Sequence, residues 1–529
     1  MFHYPLFPSC QPEKKRILMP LRTLARPRCL SLSLGKQLAA GRLVMTGVTV
    51  LALSVLLAGC SLAPRHERPQ PPVPERYPVL TASADLSPDR QSLFADPHLH
   101  ALIDQALDGN RDLRLVALDI QEARARYRIS RADLMFELGA TASRTRERTQ
   151  SLDSASRTDQ ERSGSQTANR YSVGLGTNAY ELDLFGRLRN LRDAALDEYL
   201  AQRETRSAVE LSLIAEVATA YLNQRALDER LLVSRDTLES RQRGLALIEQ
   251  RHAAGVSSAL DLAQAQTALE TTEADLAVLE RSRAQADNSL RLLLGGEPRS
   301  DLPAPLPLAR QGLDLPVPAG LPSDLLQRRP DIRAAEYRLR AANANIGAAR
   351  AAFFPRITLT ASAGYLSSDL NGLFNLGNQV WSFVPQLQVP LFDGGRNRAN
   401  LDLAEVRRDQ DIARYEKNIQ VAFREVADQL VAEAPLRRQL AAQQRLHDIT
   451  ARSVELASER YRQGLDNYLN LLDSQRSLYQ ADNALIETRL QLMIAHVDLF
   501  RALGGAWERS GEADLAASPA ATPSPMASR

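Results

Sequence analysis

Two long stretches of the chain repeat apolar residues every seven positions. In the later stretch one heptad position is always leucine, at Leu471, Leu478, Leu485, Leu492 and Leu499. The equivalent positions of the earlier stretch are Leu262, Leu269, Leu276, Arg283 and Leu290. The second seam position is mostly small, as at Ala265 and Ala481, so neighbouring backbones can approach closely. These heptads predict long helices that pack side by side in coiled-coil fashion.

Four shorter segments alternate apolar and polar residues with a period of two. Residues 356–365 and 379–391 place large apolar side chains on one face and small polar side chains on the other. Residues 138–143 and 171–177 show a weaker form of this alternation. Strands of a membrane barrel need this pattern, with lipid outside and water inside, but it also suits a soluble β-sandwich. Pro385 lies in the second segment, although proline is uncommon in a central strand.

The chain contains one unit twice. Residues 123–138 match residues 342–357 at an offset of 219, and residues 251–266 match residues 460–475 at an offset of 209. A proline-rich segment, 298–322, lies between the two copies. We therefore predict a tandem duplication.

The duplication and the composition predict six segments. Residues 1–59 form a lipoprotein signal peptide with a long N-terminal extension, and residues 60–95 form a proline-rich segment. Repeat 1 spans 96–297, with strands at about 137–183 and a hairpin tip at about 251–260, and repeat 2 spans 323–506, with strands at about 356–391 and a tip at about 460–469. The proline-rich linker 298–322 joins the repeats, and residues 507–529 form a disordered tail. The helix entering each tip, from Arg187 or Arg396, would run some 60 residues, or roughly 90 Å.

The N-terminal 60 residues differ in charge from the rest of the chain. They hold eight basic residues and one acidic residue, so residues 61–529 carry 57 basic and 62 acidic residues. An acidic balance argues against a nucleic-acid-binding protein, which would present a basic surface.

The only cysteines are Cys10, Cys29 and Cys60, so no disulfide framework is expected. Seventeen uncharged residues follow Arg42 and end in Leu-Ala-Gly before Cys60, an arrangement typical of a bacterial lipobox. We predict that Cys60 is the mature N-terminus and carries a diacylglycerol group and an N-acyl chain. An ordinary signal peptide with an incidental cysteine is the alternative.

Four strands cannot close a membrane barrel, because small membrane barrels need at least eight. Strand edges left open in lipid would keep unpaired backbone groups, which the bilayer core does not tolerate. The strands must therefore be completed by other copies of the chain.

Five segments make the chain resemble the TolC-type outer membrane factor family, within it the OprM/NodT-like efflux lipoprotein branch. They are residues 57–60, 94–114, 180–199, 327–355 and 464–481. The resemblance implies a mixed α/β membrane protein, mainly α, in which a trimeric 12-stranded outer-membrane β-barrel, four strands per chain, continues into a long coiled-coil-like α-helical periplasmic barrel. It also implies a lipid-anchored location in the outer membrane of a Gram-negative bacterium.

The same resemblance implies a function and a set of partners. The chain would be the exit duct of a tripartite efflux system that conducts small toxic compounds or drugs. Its partners would be two further copies of itself, a periplasmic adaptor protein, an inner-membrane pump of the resistance-nodulation-division type and outer-membrane lipid, without nucleic acid. The alternatives are the exit duct of a type I protein-secretion system and, from a different class, a periplasmic coiled-coil adaptor lipoprotein.

No enzyme motif is found in the sequence, so we expect no catalysis and no cofactor beyond the lipid on Cys60. The energy for transport must then come from a partner. His98 and His100 lie two residues apart, but no third ligand is near them in the sequence. We expect surface histidines here and no metal site.

The resemblance places a periplasmic gate in repeat 2. Asp473 matches an acidic residue that rings the opening, Leu469 matches a hydrophobic constriction, and Asn470 stands where some relatives carry a second Asp. The gate would set three Asp473 carboxylates around one axis. The alternative is that Asp473 is a solvated residue on a helix flank.

The two tips interrupt long helical patterns at matching glycines. Gly255 and Gly464 are expected at the C′ position that ends a helix in a left-handed conformation. By resemblance, both tips dock the adaptor through a set of neighbouring residues. That set is Gly255, Val256, Ser257, Gly464, Leu465, Asp466 and Asn467.

Overall fold

The computed structural model describes residues 61–74, 77, 94–150, 165–312 and 328–505. The chain divides into two compact units, Met1–Ala58 and Gly59–Arg529, and all described residues belong to the second. The predicted signal peptide, Cys60 and the C-terminal tail lie outside the described residues, as do parts of both proline-rich segments.

The second unit consists mainly of helices, with one antiparallel sheet. Its helices are α1 Pro97–Gly109, α2 Arg111–Ala132, α3 Arg187–Ala253, α4 Ala259–Leu294, α5 Pro330–Ala351, α6 Arg396–Arg462 and α7 Tyr468–Ala502. Its strands are β1 Gly139–Gln150, β2 Ser165–Leu182, β3 Arg356–Ser367 and β4 Gln379–Gln388. None of the helices in the described ranges has an apolar stretch long enough to cross a membrane.

The duplication is visible in the lengths of the elements. Helices α3 and α6 both have 67 residues, somewhat more than the 60 expected, and span about 100 Å at 1.5 Å per residue. Helices α2 and α5 both have 22 residues, and strands β1 and β3 both have 12. Helix α6 continues through Pro435, where the equivalent residue of α3 is Ala226.

The sheet runs in the order β1-β2-β3-β4, so β1 and β4 are its edges within one chain. Pro385 lies in β4 opposite Leu359, where it cannot donate a backbone hydrogen bond to a neighbouring strand. The alternation suggested a strand up to Leu391, but β4 ends at Gln388. Pro390 lies two residues further on and has no N–H to donate to the ladder.

The register confirms the two predicted faces of the sheet. One face is apolar and carries Ala140, Ala142, Val173, Leu175, Ile357, Leu359, Ala361, Ala363, Tyr365, Trp381, Phe383 and Leu387. On the other face the hydroxyls of Ser143 and Ser172 lie 2.7 Å apart, and those of Ser362 and Ser382 lie 2.8 Å apart. Strands β1 and β2 also extend well beyond the residues that alternate.

The largest core joins both repeats far from the sheet hairpins. Tyr221 and Leu222 of α3 pack with Val497 and Phe500 of α7. Buried Asp96 fastens the linker to this core, because it accepts hydrogen bonds from the Tyr221 hydroxyl, from Gln311 Nε2 at 2.9 Å and from the Leu306 N–H at 3.1 Å.

The two histidines considered above both use a ring nitrogen within this region. His98 Nδ1 lies 2.7 Å from the carbonyl oxygen of Pro303. His100 Nε2 lies 2.6 Å from the carbonyl oxygen of Phe94. Both contacts attach the start of α1 to other segments of the same chain.

Candidate functional site

The two hairpin tips have the same backbone geometry. Gly255 and Gly464 have φ values of 75° and 73°. In the first tip the N–H of Gly255 donates to His252 O and that of Val256 to Arg251 O, both at 2.9 Å. In the second tip the N–H of Gly464 donates to Tyr461 O at 3.0 Å and that of Leu465 to Arg460 O at 2.9 Å. Both are Schellman turns, which confirms the predicted C′ role of the glycines.

The first tip is fastened by a capping box at the start of α4. The Ser258 hydroxyl accepts the N–H of Asp261 at 3.1 Å, and the Asp261 carboxylate accepts the N–H of Ser258, also at 3.1 Å. The hydrogen bond from the Ser258 hydroxyl lowers the pKa of Asp261 below its usual value. The carboxylate of Asp261 is thus committed to the helix end.

The second tip is fastened by an ion pair and an asparagine cap. Arg460 Nε donates to Asp466 Oδ2 at 2.6 Å, and this contact lowers the pKa of Asp466. The side chain of Asn467 accepts the N–H of Asn470 at 3.1 Å. Asp466, Asn467 and Asn470 therefore all take part in shaping the tip itself.

The tips pack against each other just behind these turns. Ile248 and Ala265 from repeat 1 form a buried cluster with Tyr461, Tyr468 and Leu471 from repeat 2. The guanidinium of Arg251 lies over the ring of Tyr461, 5.0 Å from its centroid. Sequence reasoning treated the tips separately and could not find this contact, because no pattern along the chain reports which hairpins are neighbours.

Two pairs of equivalent apolar residues remain exposed at the tips. Val256 is 74% exposed and its counterpart Leu465 is 62% exposed. Leu469 is 40% exposed and its counterpart Leu260 is 66% exposed. The sequence analysis singled out Leu469 alone, although the offset of 209 would have found Leu260. These four exposed apolar side chains lie on two neighbouring tips, and a group of exposed apolar side chains is a sign of a contact surface.

Asp473 lies in the second turn of α7 with a cation beside it. Its Oδ1 is 2.9 Å from Arg476 Nη2, and both side chains are largely exposed. The equivalents in repeat 1 are Gln264 and Thr267, so this pair exists in only one of the two hairpins. Sequence reasoning missed Arg476, which the spacing of three residues on a helix could have indicated.

The N-terminal segment lies against the opposite end of the helices. The Ser61 hydroxyl donates to Asn190 Oδ1 at 2.9 Å, and Arg68 Nη2 donates to Glu336 Oε2 at 2.7 Å. Asn190 is close to the beginning of α3, which directly follows the end of β2. The residue after Cys60 is thus held beside the junction of sheet and helices.

Comparison with known proteins identifies this arrangement. The family model described as outer membrane efflux protein matches residues 102–296 and 321–505. The chain belongs to the outer membrane efflux protein family. Each match covers one of the two repeats seen in the structure.

Individual members of the outer membrane efflux protein family are similar over nearly their whole length. Outer membrane protein OprJ of Pseudomonas aeruginosa is 47% identical over 466 residues, which cover 87% of this chain and 96% of OprJ. The solvent efflux pump outer membrane protein SrpC of Pseudomonas putida is 47% identical over 465 residues, covering 86% and 97%. The open-state crystal structure of the Neisseria gonorrhoeae MtrE outer membrane channel superposes with a TM-score of 0.77 at 38% identity, covering 85% and 99%.

Family membership decides between several of the alternatives that the sequence left open. The chain is an outer-membrane protein that extends into the periplasm, and its four strands are one third of a trimeric 12-stranded barrel that continues into a helical tunnel. Strands β1 and β4 are then paired with neighbouring copies, as the physics of lipid-exposed edges requires. The soluble sandwich and the periplasmic adaptor lipoprotein are both wrong.

Proposed function

We propose that three copies of this chain form the exit duct of a tripartite efflux system. The duct passively conducts small toxic compounds or drugs that an inner-membrane pump of the resistance-nodulation-division type delivers through a periplasmic adaptor. The observation that carries the proposal is the similarity over both repeats to outer membrane proteins of efflux pumps, one of them named for solvent efflux.

The exposed apolar residues of the tips support a docking role. Val256 and Leu465 follow the C′ glycines and are largely exposed, and neither belongs to the buried cluster behind the turns. Three copies would present six such side chains at the periplasmic end. An adaptor that offers an apolar helical hairpin would remove them from water. Ser257, Asp466 and Asn467 hold the turns that present them.

The gate proposal places Leu469 and Asp473 around the periplasmic opening, with Asn470 between them. Because Arg476 is paired with Asp473, the ring would consist of three ion pairs instead of three isolated carboxylates. Such a ring can still focus a local potential, since the two charges of each pair lie at different depths on the helix. Removing the Asp473 charge should then lower the cation selectivity, whereas removing the Arg476 charge should raise it.

The lipid anchor on Cys60 is supported by the position of the residue that follows it. Ser61 is hydrogen-bonded to Asn190 beside the sheet–helix junction. Acyl chains on the preceding residue, Cys60, would therefore start near the inner leaflet of the outer membrane. Labelled palmitate should be incorporated into the wild-type protein and absent from Cys60→Ala. Incorporation that survives this substitution would refute the lipobox assignment.

Deleting the gene in its own host tests the efflux function. A hydrophobic dye should then accumulate in cells, and the wild-type gene supplied on a plasmid should restore its removal. Leu359→Ala, on the lipid-facing side of β3, serves as the matched control and should restore removal equally well. Normal dye removal in the deletion strain, together with loss of a secreted protein, would favour the type I secretion duct.

A further inference from the structure

The β1–β2 hairpin carries arginines on its lipid-facing side. Arg144, Arg146 and Arg148 follow Ala140 and Ala142 on the same face of β1, because side chains two apart share a face. The first two arginines are exposed. The apolar face of the sheet thus becomes basic along a single strand.

The register gives the depth at which this change occurs. Arg144 lies opposite Tyr171, and the next apolar pair inward on the same face is Val173 with Tyr365 of β3. The guanidinium of Arg144 lies 5.4 Å from the centre of the Tyr171 ring. Aromatic residues mark the edge of the apolar band in membrane barrels. Arg144 therefore lies at this edge, and Arg146 lies about 7 Å further along the strand.

The edge in question faces the cell exterior. The other ends of β2 and β3 connect to α3 and α5, which belong to the periplasmic part of the molecule. Gln150 and Ser165, the paired outer ends of β1 and β2, must then lie on the exterior side. The β3–β4 turn, residues 368–378, also projects outward but contains no lysine or arginine. The basic face is confined to one hairpin of each chain.

In the described part of the hairpin, no carboxylate side chain lies on the same face as the arginines. Glu147 belongs to the other face by the alternation of β1, and the residues opposite the arginines are Tyr171, Asn169 and Thr167. Within the described ranges neither Arg144 nor Arg146 forms an ion pair with a carboxylate. Two cations are thus held side by side on a surface that faces lipid head groups.

We propose that Arg144 and Arg146 bind phosphate groups of the phosphorylated glycolipid in the outer leaflet. A guanidinium presents a planar fork of donors that matches phosphate oxygens in pairs. Arginine on the lipid face is costly at the membrane midplane and nearly free of cost at the interface, which is where these residues lie. The inference rests on the outer-membrane location and not on the identity of the transported compounds.

Titration of the purified trimer in neutral detergent with diphosphoryl lipid A tests the proposal. Arg144→Gln/Arg146→Gln should bind this lipid about 10- to 30-fold more weakly than the wild type, since each basic residue near an anionic surface contributes on the order of fivefold. Lipid A without phosphates should bind both proteins equally. Arg146→Lys should bind with intermediate affinity, because it keeps the charge and loses the fork.

The hairpin itself supplies the matched control. Arg170 lies at the same height, opposite Thr145, with its side chain on the other face of the sheet. Arg170→Gln should therefore leave lipid A binding unchanged. Equal weakening by Arg170→Gln and Arg146→Gln would refute the proposal, as would unchanged binding by the double variant. Full displacement of lipid A by millimolar inorganic phosphate would also overturn it in favour of a free-anion site.

Discussion

The two periplasmic tips share a backbone, and different side chains hold it in place. Both end a 67-residue helix in a Schellman turn with glycine at C′. Repeat 1 then fixes its next helix with the Ser258–Asp261 capping box, whereas repeat 2 uses the Arg460–Asp466 ion pair and Asn467. Only repeat 2 adds Asp473 and Arg476. The turn geometry is therefore common to the two repeats, whereas the charged groups proposed for the gate belong to repeat 2 alone.

The largest expected effect concerns adaptor docking. Leu465→Asp should abolish dye removal, because a charge in the centre of an apolar contact costs about 2 kcal/mol or more, or roughly 30-fold in affinity. Val256→Asp should do the same if the tips are equivalent partners. Dye accumulation in the complemented deletion strain measures both.

Unequal results would sharpen the comparison. Wild-type activity of Val256→Asp with loss of activity in Leu465→Asp would mean that only repeat 2 docks. Normal activity of both variants would remove the exposed apolar residues from the docking proposal. Leu232, an exposed apolar residue within α3, supplies the control substitution Leu232→Asp.

A moderate and equal effect is expected at the two glycines. A Cβ added to Gly255 or Gly464 would meet nothing within 4 Å, so alanine there is opposed only by the positive φ. Each substitution should destabilise its turn locally by about 1 kcal/mol. Hydrogen exchange of the last turn of α3 and of α6 should accelerate about fivefold. A change at one tip only would contradict the shared geometry.

Acidification should produce the smallest effect. The pKa of Asp261 and that of Asp466 are both lowered in the folded protein. Their contribution to stability is therefore complete above the ordinary carboxylate pKa and is lost as the pH falls through the lowered values. The hydrogen-exchange protection factors at the tips, which correct for the intrinsic pH dependence of amide exchange, should be constant from pH 7 to about pH 5 and fall below about pH 4. Asp261→Asn should remove this fall from the first tip alone.

Much of the architecture could be predicted because the membrane and the heptads impose strict periods. The alternation of residues 356–365 located β3, and the heptads located α4 and α7. The outer parts of β1 and β2 could not be found in this way. Beyond the lipid edge, β1 reads Arg-Thr-Arg-Glu-Arg-Thr-Gln, which has no apolar face to reveal a strand.

The site could be predicted less completely. The glycines could be predicted because a positive φ favours glycine, and the duplication places one at the equivalent position of each repeat. The contact of Arg251 with Tyr461 joins residues that are 210 positions apart, and only the packing of the two hairpins brings them together. The Asp473–Arg476 pair is local, but the family resemblance places only the acidic residue at the opening, so it gives no sign of the arginine.

Single-channel recording in planar bilayers tests the central claim, that repeat 2 carries the gate of an outer-membrane duct. The pair Leu469→Ala and Leu260→Ala removes equivalent side chains from the two repeats. Leu469→Ala should raise the conductance of the wild-type trimer, Asp473→Ala should lower its cation selectivity, and Leu260→Ala should change neither. Conductance and selectivity equal to wild type in both repeat 2 variants would contradict the account.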